Sequence, residues 1–436
     1  MQPETSTMKH FVLGVLILAA LLMISMAFGG GATVTYDRTA VAKEIAAEEA
    51  RNAAMNASST ASTTQNSVTP IDVKTDGVAP ISAQSITSSG TTSPKTRPIV
   101  VHQKTPDVVR AAYMTSCIAS GAGLRAPMLK LLEDSSLNAL VIDVKDYTGY
   151  ISVDLGNPNF PTGGKSCLVK DMHEFLAELG AKGIYRIARV AVMQDPYYAD
   201  HHPNEAVKRK DNGGIWKDNK GLAFVDPSSK DFWKYIRDVS VAAYDAGFDE
   251  VNFDYVRFPT DGNLANMSFA HNSSTTKQMV MKTFFTYIGE EMRSRKIPTS
   301  VDIFGMVTTA SDDLGIGQYL EDILPHFDFV APMVYPSHYP KGFNNWKDPN
   351  TVPGPLTEFV MGKAVERAKA KGFGPEKYRT WIQDFNYGKI YTAADVRAEI
   401  NSSVKVGVKS YMAWDPSNRY TDAAYIQPAN PISAAQ

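Results

Sequence analysis

Four stretches of this sequence carry polar side chains where burial alone would select apolar ones. In ALVIDVKD (139–146), Asp143 and Lys145 share one parity while Ile142 and Val144 take the other. In EVNFDYVRF (250–258), Asn252 and Asp254 stand opposite Val251, Phe253 and Tyr255, and Arg257 follows. TSVDIFGM (299–306) sets Ser300 and Asp302 against Val301 and Ile303, and RTWIQDF (379–385) brings Gln383 and Asp384 near its end. Side chains alternate faces along a strand, so in the first three runs the polar pair shares a face. A carboxylate among apolar neighbours is costly unless something pairs with it. Structural ion pairs, Asp143 with Lys145 or Asp254 with Arg257, are one explanation. The other is a set of acids converging in one bowl, as glycosidic bond cleavage requires: one group protonates the departing oxygen, and another attacks or activates water.

The elements that must position these residues follow from the texture after Thr105, where short apolar runs alternate with helical segments. Eight runs occur, at 108–114, 139–146, 183–192, 250–258, 299–306, 328–335, 379–385 and 408–414. Between them, SKDFWKYIRDVSVAAYDAG repeats Phe232, Ile236, Val239 and Ala243 at helical spacing, with Gly247 as a stop. The expected fold is α/β, a (β/α)₈ TIM barrel. An open doubly wound sheet is the alternative, but no Gly-rich phosphate loop follows the first strand. Active sites of such barrels lie at the C-terminal strand ends, where the polar residues cluster. Asp254 and Asp302 are therefore the candidate acids, with Asp143, Lys145, Arg257 and Asp384 expected to support them. Tyr147, Arg189, Asn252, Tyr255, Tyr335, Trp381, Gln383 and Trp414 are expected to bind substrate. Phe258, Tyr339, Trp346 and Trp216 add aromatic surface on which sugar faces could stack.

Other chemistries lack their residues. The chain has 44 basic and 46 acidic residues, a net charge of −2, which offers no footprint for nucleic acid. The eight histidines form no His-x-His or His-x₃-His pair, so neither a metal nor a cofactor is expected. No Gly-x-Ser-x-Gly elbow is present. The two cysteines, Cys117 and Cys167, follow the first and second strands, at the same barrel end, and are expected to bridge.

The N-terminal run from Phe11 to Phe28 carries no charge and, at about 1.5 Å per residue, would reach roughly 27 Å as a helix. It reads as a transmembrane anchor that leaves the rest outside; a cleaved signal peptide followed by secretion is the alternative. From Ser58 to Arg97, 18 of 40 residues are Ser or Thr and none is aromatic, so this stretch reads as a disordered tether. The expected organisation is an anchor at 1–30, stalk and linker at 31–105, a barrel at 106–427 and a tail at 428–436.

The segment GIWKDNKGLAFVDPSSKDFWKYIRDVSVAAYDAGFDEVNFDYVRFP resembles the signature region of the putative glycosyl hydrolase domain family of bacterial envelopes. KDYTGYISVD, IYRIARVAVMQDPYYAD, SVDIFG, IGQYLEDILPHFDFVAPMVYPSHYPKG, WIQDF and MAWDPSNRY resemble its remaining blocks, in order. The resemblance implies a glycosidase-type barrel. Asp254, Asp302 and Asp384 also resemble the acid layout of the alpha-amylase family, with an aspartate on the fifth strand where that family has glutamate. PMVYPSHY is similar to chitinase-like barrels, but their acid pattern is not reproduced around FDEVNFDY. The expected activity is hydrolysis or transfer of a glycosidic bond in an extracytoplasmic polysaccharide, with Asp254 as nucleophile or base and Asp302 as acid. A non-catalytic glycan- or wall-binding barrel is the alternative.

Overall fold

A computed structural model describes residues 99–164, 167–270 and 275–426. The expected anchor at 1–30, most of the linker and the tail at 428–436 lie outside the described residues. Among the described residues no helix is long and apolar enough to cross a membrane.

Eight parallel strands close into a barrel: β1 (Arg110–Met114), β2 (Ala139–Lys145), β3 (Tyr185–Ala191), β4 (Glu250–Asp254), β5 (Thr299–Phe304), β6 (Phe329–Val334), β7 (Arg379–Gln383) and β8 (Ser410–Trp414). Each pairs with its sequence neighbour, and β8 pairs with β1. Closure leaves no strand edge open. The open-sheet alternative is thereby excluded. Outside the barrel run α1 (Ala122–Asp134), α2 (Met172–Ala181), α3 (Lys230–Asp245), α4 (Lys277–Ser294), α5 (Pro353–Ala370) and α6 (Ala393–Lys405). Between β5 and β6 only a single helical turn, Leu320–Ile323, takes that place.

Strand parity sorts the core into two layers. Ile142, Val190, Val251, Phe253, Val301 and Ile382 face outward and pack beneath the helices with Phe175, Phe232, Phe284 and Val396. Ala111, Tyr113, Val141, Ile187, Trp381 and Trp414 form the inner cluster. α3 shows how the sequence writes the outer layer. Ser229 caps it by accepting from the Phe232 N–H, and Phe232, Ile236, Val239 and Ala243 are its buried stripe. Gly247, at φ 120°, ends the turn that follows.

The last residues expected to belong to the linker are fastened to the barrel. The Gln103 N–H donates to Asp249 Oδ1 at 2.7 Å, its side-chain amide to Gly180 O at 2.8 Å, and Thr105 Oγ1 meets the Tyr185 hydroxyl. Asp249 precedes β4 and Tyr185 begins β3, so the chain enters at the end opposite the strand C-termini. At the mouth, Cys117 and Cys167 form a disulfide with Cα atoms 4.8 Å apart, tying the loops after β1 and β2 together.

Candidate active site

Inward-facing polar side chains stack in three levels along the barrel axis. The floor holds Glu250, whose Oε1 accepts from Arg379 Nη1 at 2.5 Å and from Ser300 Oγ at 2.7 Å, and whose Oε2 accepts from the Tyr185 hydroxyl at 3.0 Å. One step up, the Asn252 amide donates to Ser300 Oγ at 3.0 Å and to Asp302 Oδ1 at 2.8 Å, while Trp381 Nε1 donates to the same Asp302 oxygen at 2.7 Å. At the top, Arg189 bonds two acids: Nε meets Asp254 Oδ2 at 3.0 Å, Nη2 meets it as well, and Nη1 meets Asp143 Oδ1 at 2.6 Å. The Tyr113 hydroxyl donates to Asp143 Oδ2 at 2.5 Å. Exposure rises from 0% at Glu250 and Asn252 to 7% at Asp254, so the acids at the top are the ones that meet solvent.

The backbone explains why Asp254 sits there. β4 ends at Asp254 rather than running on to 258, because Tyr255 turns into the left-handed region at φ 53°. A non-glycine residue held there costs on the order of 1–3 kcal/mol and typically marks a functional constraint. The turn lets the Tyr255 N–H donate to Asp254 Oδ1 at 2.6 Å. Asn252 pairs with Ser300 and Phe253 with Val301 across β4 and β5, so the next step up brings Asp254 beside Asp302. Backbones of paired strands run about 4.8 Å apart.

The two acids have unlike surroundings. Asp254 is bonded to a guanidinium. Asp302 is 1% exposed and receives hydrogen bonds from two neutral donors. Burial, reinforced by the charge of Asp254, pushes the Asp302 carboxyl well above the usual range, against the pull of Asn252 and Trp381. Burial also raises Asp143, and Arg189 partly offsets it. For Arg189, burial works against the charged form, but the charges of Asp254 and Asp143 overcome it and keep the guanidinium protonated. The cation also lies 5.1 Å from the Trp414 ring centroid and 5.5 Å from that of Tyr113. Trp414 stacks on Tyr113 at 4.0 Å and meets Trp381 edge-on at 5.5 Å, forming an aromatic wall beside the acids.

Of the residues expected from sequence, Asp254, Asp302, Asp143, Arg189, Asn252, Trp381 and Trp414 come together here. Gln383 links the neighbouring strand exits, accepting from the Ser337 N–H at 3.1 Å and donating to Phe385 O at 3.0 Å. Tyr335 meets Phe385 edge-on at 5.7 Å in the same corner. Tyr147 is half-buried in the loop after β2.

Several expected partners stand elsewhere. A bulge between Asp143 and Lys145 breaks their common parity, and Lys145, fully buried, pairs with Asp195 at 2.9 Å and donates to Ala191 O at 2.7 Å. It therefore does not neutralise Asp143. Asp384 has the parity of Ile382, outward, and accepts from the Thr421 N–H at 2.8 Å, from Thr421 Oγ1 and from the Tyr425 hydroxyl. It fastens the C-terminal segment rather than serving the bowl. Arg257 stays at the strand exits: its guanidinium lies 5.3 Å from the Tyr255 ring centroid and 5.0 Å from that of Phe304, and it donates to Phe258 O and Thr260 Oγ1, both at 3.2 Å. Trp216 donates to Asn263 O and packs on Phe224, while Trp346 packs against Phe343 and Phe359. Trp216 is part of the buried core, and Trp346 is half-buried against that core. Sequence reasoning missed Tyr113, which sits in an apolar run. Its inward parity with Ala111 was the available signal.

No group of three or more His, Cys, Asp or Glu side chains suited to a metal ion occurs among the described residues. The arrangement is one of paired carboxylates, a cation and aromatic walls at the C-terminal mouth of a TIM-type barrel, a layout suited to acid–base work. Consistent with this, a family model described as "Putative glycosyl hydrolase domain" matches residues 111–420, and the chain belongs to that family. No similar protein was found among curated sequences. Among solved structures, the glycoside hydrolase domain of PgaB (BpsB) from Bordetella bronchiseptica aligns with 71% of this chain and 94% of its own, at 14% identity and a TM-score of 0.51. A hypothetical protein from Ruminiclostridium thermocellum is 27% identical over 47% of this chain and 98% of its own, with a TM-score of 0.39. Ega3 of Aspergillus fumigatus, solved with galactosamine, is 11% identical over 74% of this chain and 97% of its own, with a TM-score of 0.42. The likeness to the Bordetella domain establishes the fold alone.

Proposed function

We propose that this barrel hydrolyses or transfers a glycosidic bond in an extracytoplasmic polysaccharide, with Asp302 as the proton donor and Asp254 as the nucleophile or base. The observation that carries this reading is the unlike environment of two adjacent carboxyls: Asp254 lies against the Arg189 guanidinium, while Asp302 is buried with neutral donors. A negative charge held on one acid favours the proton on the other. Asp302 then delivers its proton to the departing oxygen, and Asp254 stabilises or attacks the anomeric carbon. Their neighbouring positions on adjacent strands favour the shorter carboxyl separation of about 5–5.5 Å, and hence retention of anomeric configuration. Trp414, 7% exposed beside the acids, is the aromatic side chain a sugar ring would meet. The uncharged run from Phe11 to Phe28 supports attachment to a membrane with the barrel outside it.

A screen of the purified residue 99–436 segment against a glycan library tests this, with Asp254→Asn and Asp302→Asn as controls. Release of reducing ends by the parent and loss of that release in both variants is expected. Glycan binding without turnover by the parent would favour the non-catalytic barrel instead.

A further inference from the structure

The polar floor beneath the acids is not needed for packing, since a barrel interior is ordinarily filled by branched apolar side chains. Its hydrogen bonds have a fixed direction. Glu250 is ion-paired with Arg379 and can only accept, so the Ser300 hydroxyl spends its proton on Glu250 Oε1. Ser300 Oγ must then accept from its other partner, Asn252, which requires the Nδ2 end of that amide to face it. The same Nδ2 reaches Asp302 Oδ1. The opposite orientation of the amide would set its carbonyl oxygen against Ser300, which has no proton left to give. The structure shows the cost of this choice: Asn252 Oδ1 is buried and has no hydrogen-bond partner. Leaving a buried acceptor unpaired costs about 1–3 kcal/mol. Trp381 Nε1, a donor that can never accept, closes the second approach to Asp302 Oδ1.

We propose that Glu250, Ser300, Asn252 and Trp381 are positioning residues that make Oδ1 of Asp302 an obligatory acceptor and reserve Oδ2 as the oxygen that carries the transferable proton. This rests on the reading of Asp302 as the proton donor. A proton on Oδ1 would face two N–H groups and point down into the barrel; on Oδ2 it avoids both. The floor ion pair thus acts on the mouth through the polarity of a three-bond chain, without touching substrate. Removing a donor to Oδ1 weakens the ionised form of Asp302 relative to the protonated one, so its titration moves up. Removing the Ser300 hydroxyl also frees the Asn252 amide to turn and accept a proton on Oδ1, which moves titration the same way and aims the proton away from substrate.

The test is the pH titration of the Asp302 carboxyl band by infrared difference spectroscopy, assigned through its disappearance in Asp302→Asn. Trp381→Phe and Ser300→Ala are each expected to raise the midpoint by about one pH unit. Ser300→Thr, which keeps the hydroxyl, stays with the parent. The alkaline limb of kcat moves up in step in Trp381→Phe. Near-UV circular dichroism identifies a variant that has lost its packing, and the other variant then decides. Midpoints that coincide with the parent in a natively packed variant overturn the proposal. A parent that cleaves no glycan defeats the hydrolase reading instead, and the infrared midpoints still decide this one.

Discussion

Replacing Asp384 with asparagine separates a structural acid from a catalytic one. Asp384 is 3% exposed and has no cation among its hydrogen-bond partners, only Thr421 and Tyr425. Burial is the chief cause that pushes its carboxyl from 3.8 up to about 6, against the pull of the Thr421 and Tyr425 hydrogen bonds. A carboxyl whose folded-state value is raised binds its proton more tightly in the folded chain than in the unfolded one. Stability is therefore unaffected below about pH 4 and falls as pH rises through 6, where the folded chain must ionise a buried group. At about 1.4 kcal/mol per pH unit the loss comes to about 3 kcal/mol. Asparagine cannot ionise, so the variant escapes this loss, whatever constant offset its altered hydrogen bonds introduce. Urea unfolding of parent and Asp384→Asn at pH 4 and at pH 7.5 reads the difference directly. The gap should move in favour of the variant by about 2 kcal/mol between the two conditions, since part of the loss is already present at pH 4, with activity on any glycan substrate retained. Parallel profiles, or loss of turnover in a stable variant, would refute the assignment of Asp384 to the C-terminal fastening.

Arg189→Met strands two buried carboxylates, and thermal unfolding should show a loss of about 3–5 kcal/mol, with turnover abolished at neutral pH. If stability is unchanged, the Asp254–Arg189–Asp143 cluster is not the support described above. The Cys117–Cys167 bridge closes a span of 50 residues. Its removal in the Cys117→Ser, Cys167→Ser double variant should cost up to about 4 kcal/mol in denaturant unfolding, and reductant should destabilise the parent but not the variant.

The barrel was legible because its strands are written as apolar runs. All eight stand where those runs lie, with ends trimmed by one to four residues where the chain turns, as at Tyr255. The bowl was legible through parity in β4 and β5, where Asp254 and Asp302 face inward with Asn252 and Ser300. Parity would also have turned Asp384 outward, since Ile382 shares its side of the strand and Gln383 does not. Lys145 could not be read this way, because the bulge after Asp143 leaves no mark in the residue types. Its partner Asp195 lies 50 residues on, in another loop. Arg189 was expected to touch substrate; that it joins Asp254 to Asp143 depends on the register of β3 against β2 and β4, which no spacing in the chain expresses. Trp216 was misplaced for a related reason: it lies in a loop insertion whose apolar residues join the core outside the barrel.

The division of labour between the two acids is tested most directly by leaving-group dependence, once a cleaved sugar is known. Aryl glycosides of that sugar are compared in Asp302→Ala and Asp254→Ala. A good leaving group departs without a proton, so Asp302→Ala should retain most of its kcat/KM on nitrophenyl substrates while losing on the order of 10²–10⁴-fold on the natural glycan. Asp254→Ala should lose both. Equal losses on both substrates in Asp302→Ala would contradict its role as proton donor, and with it the reading of the paired acids.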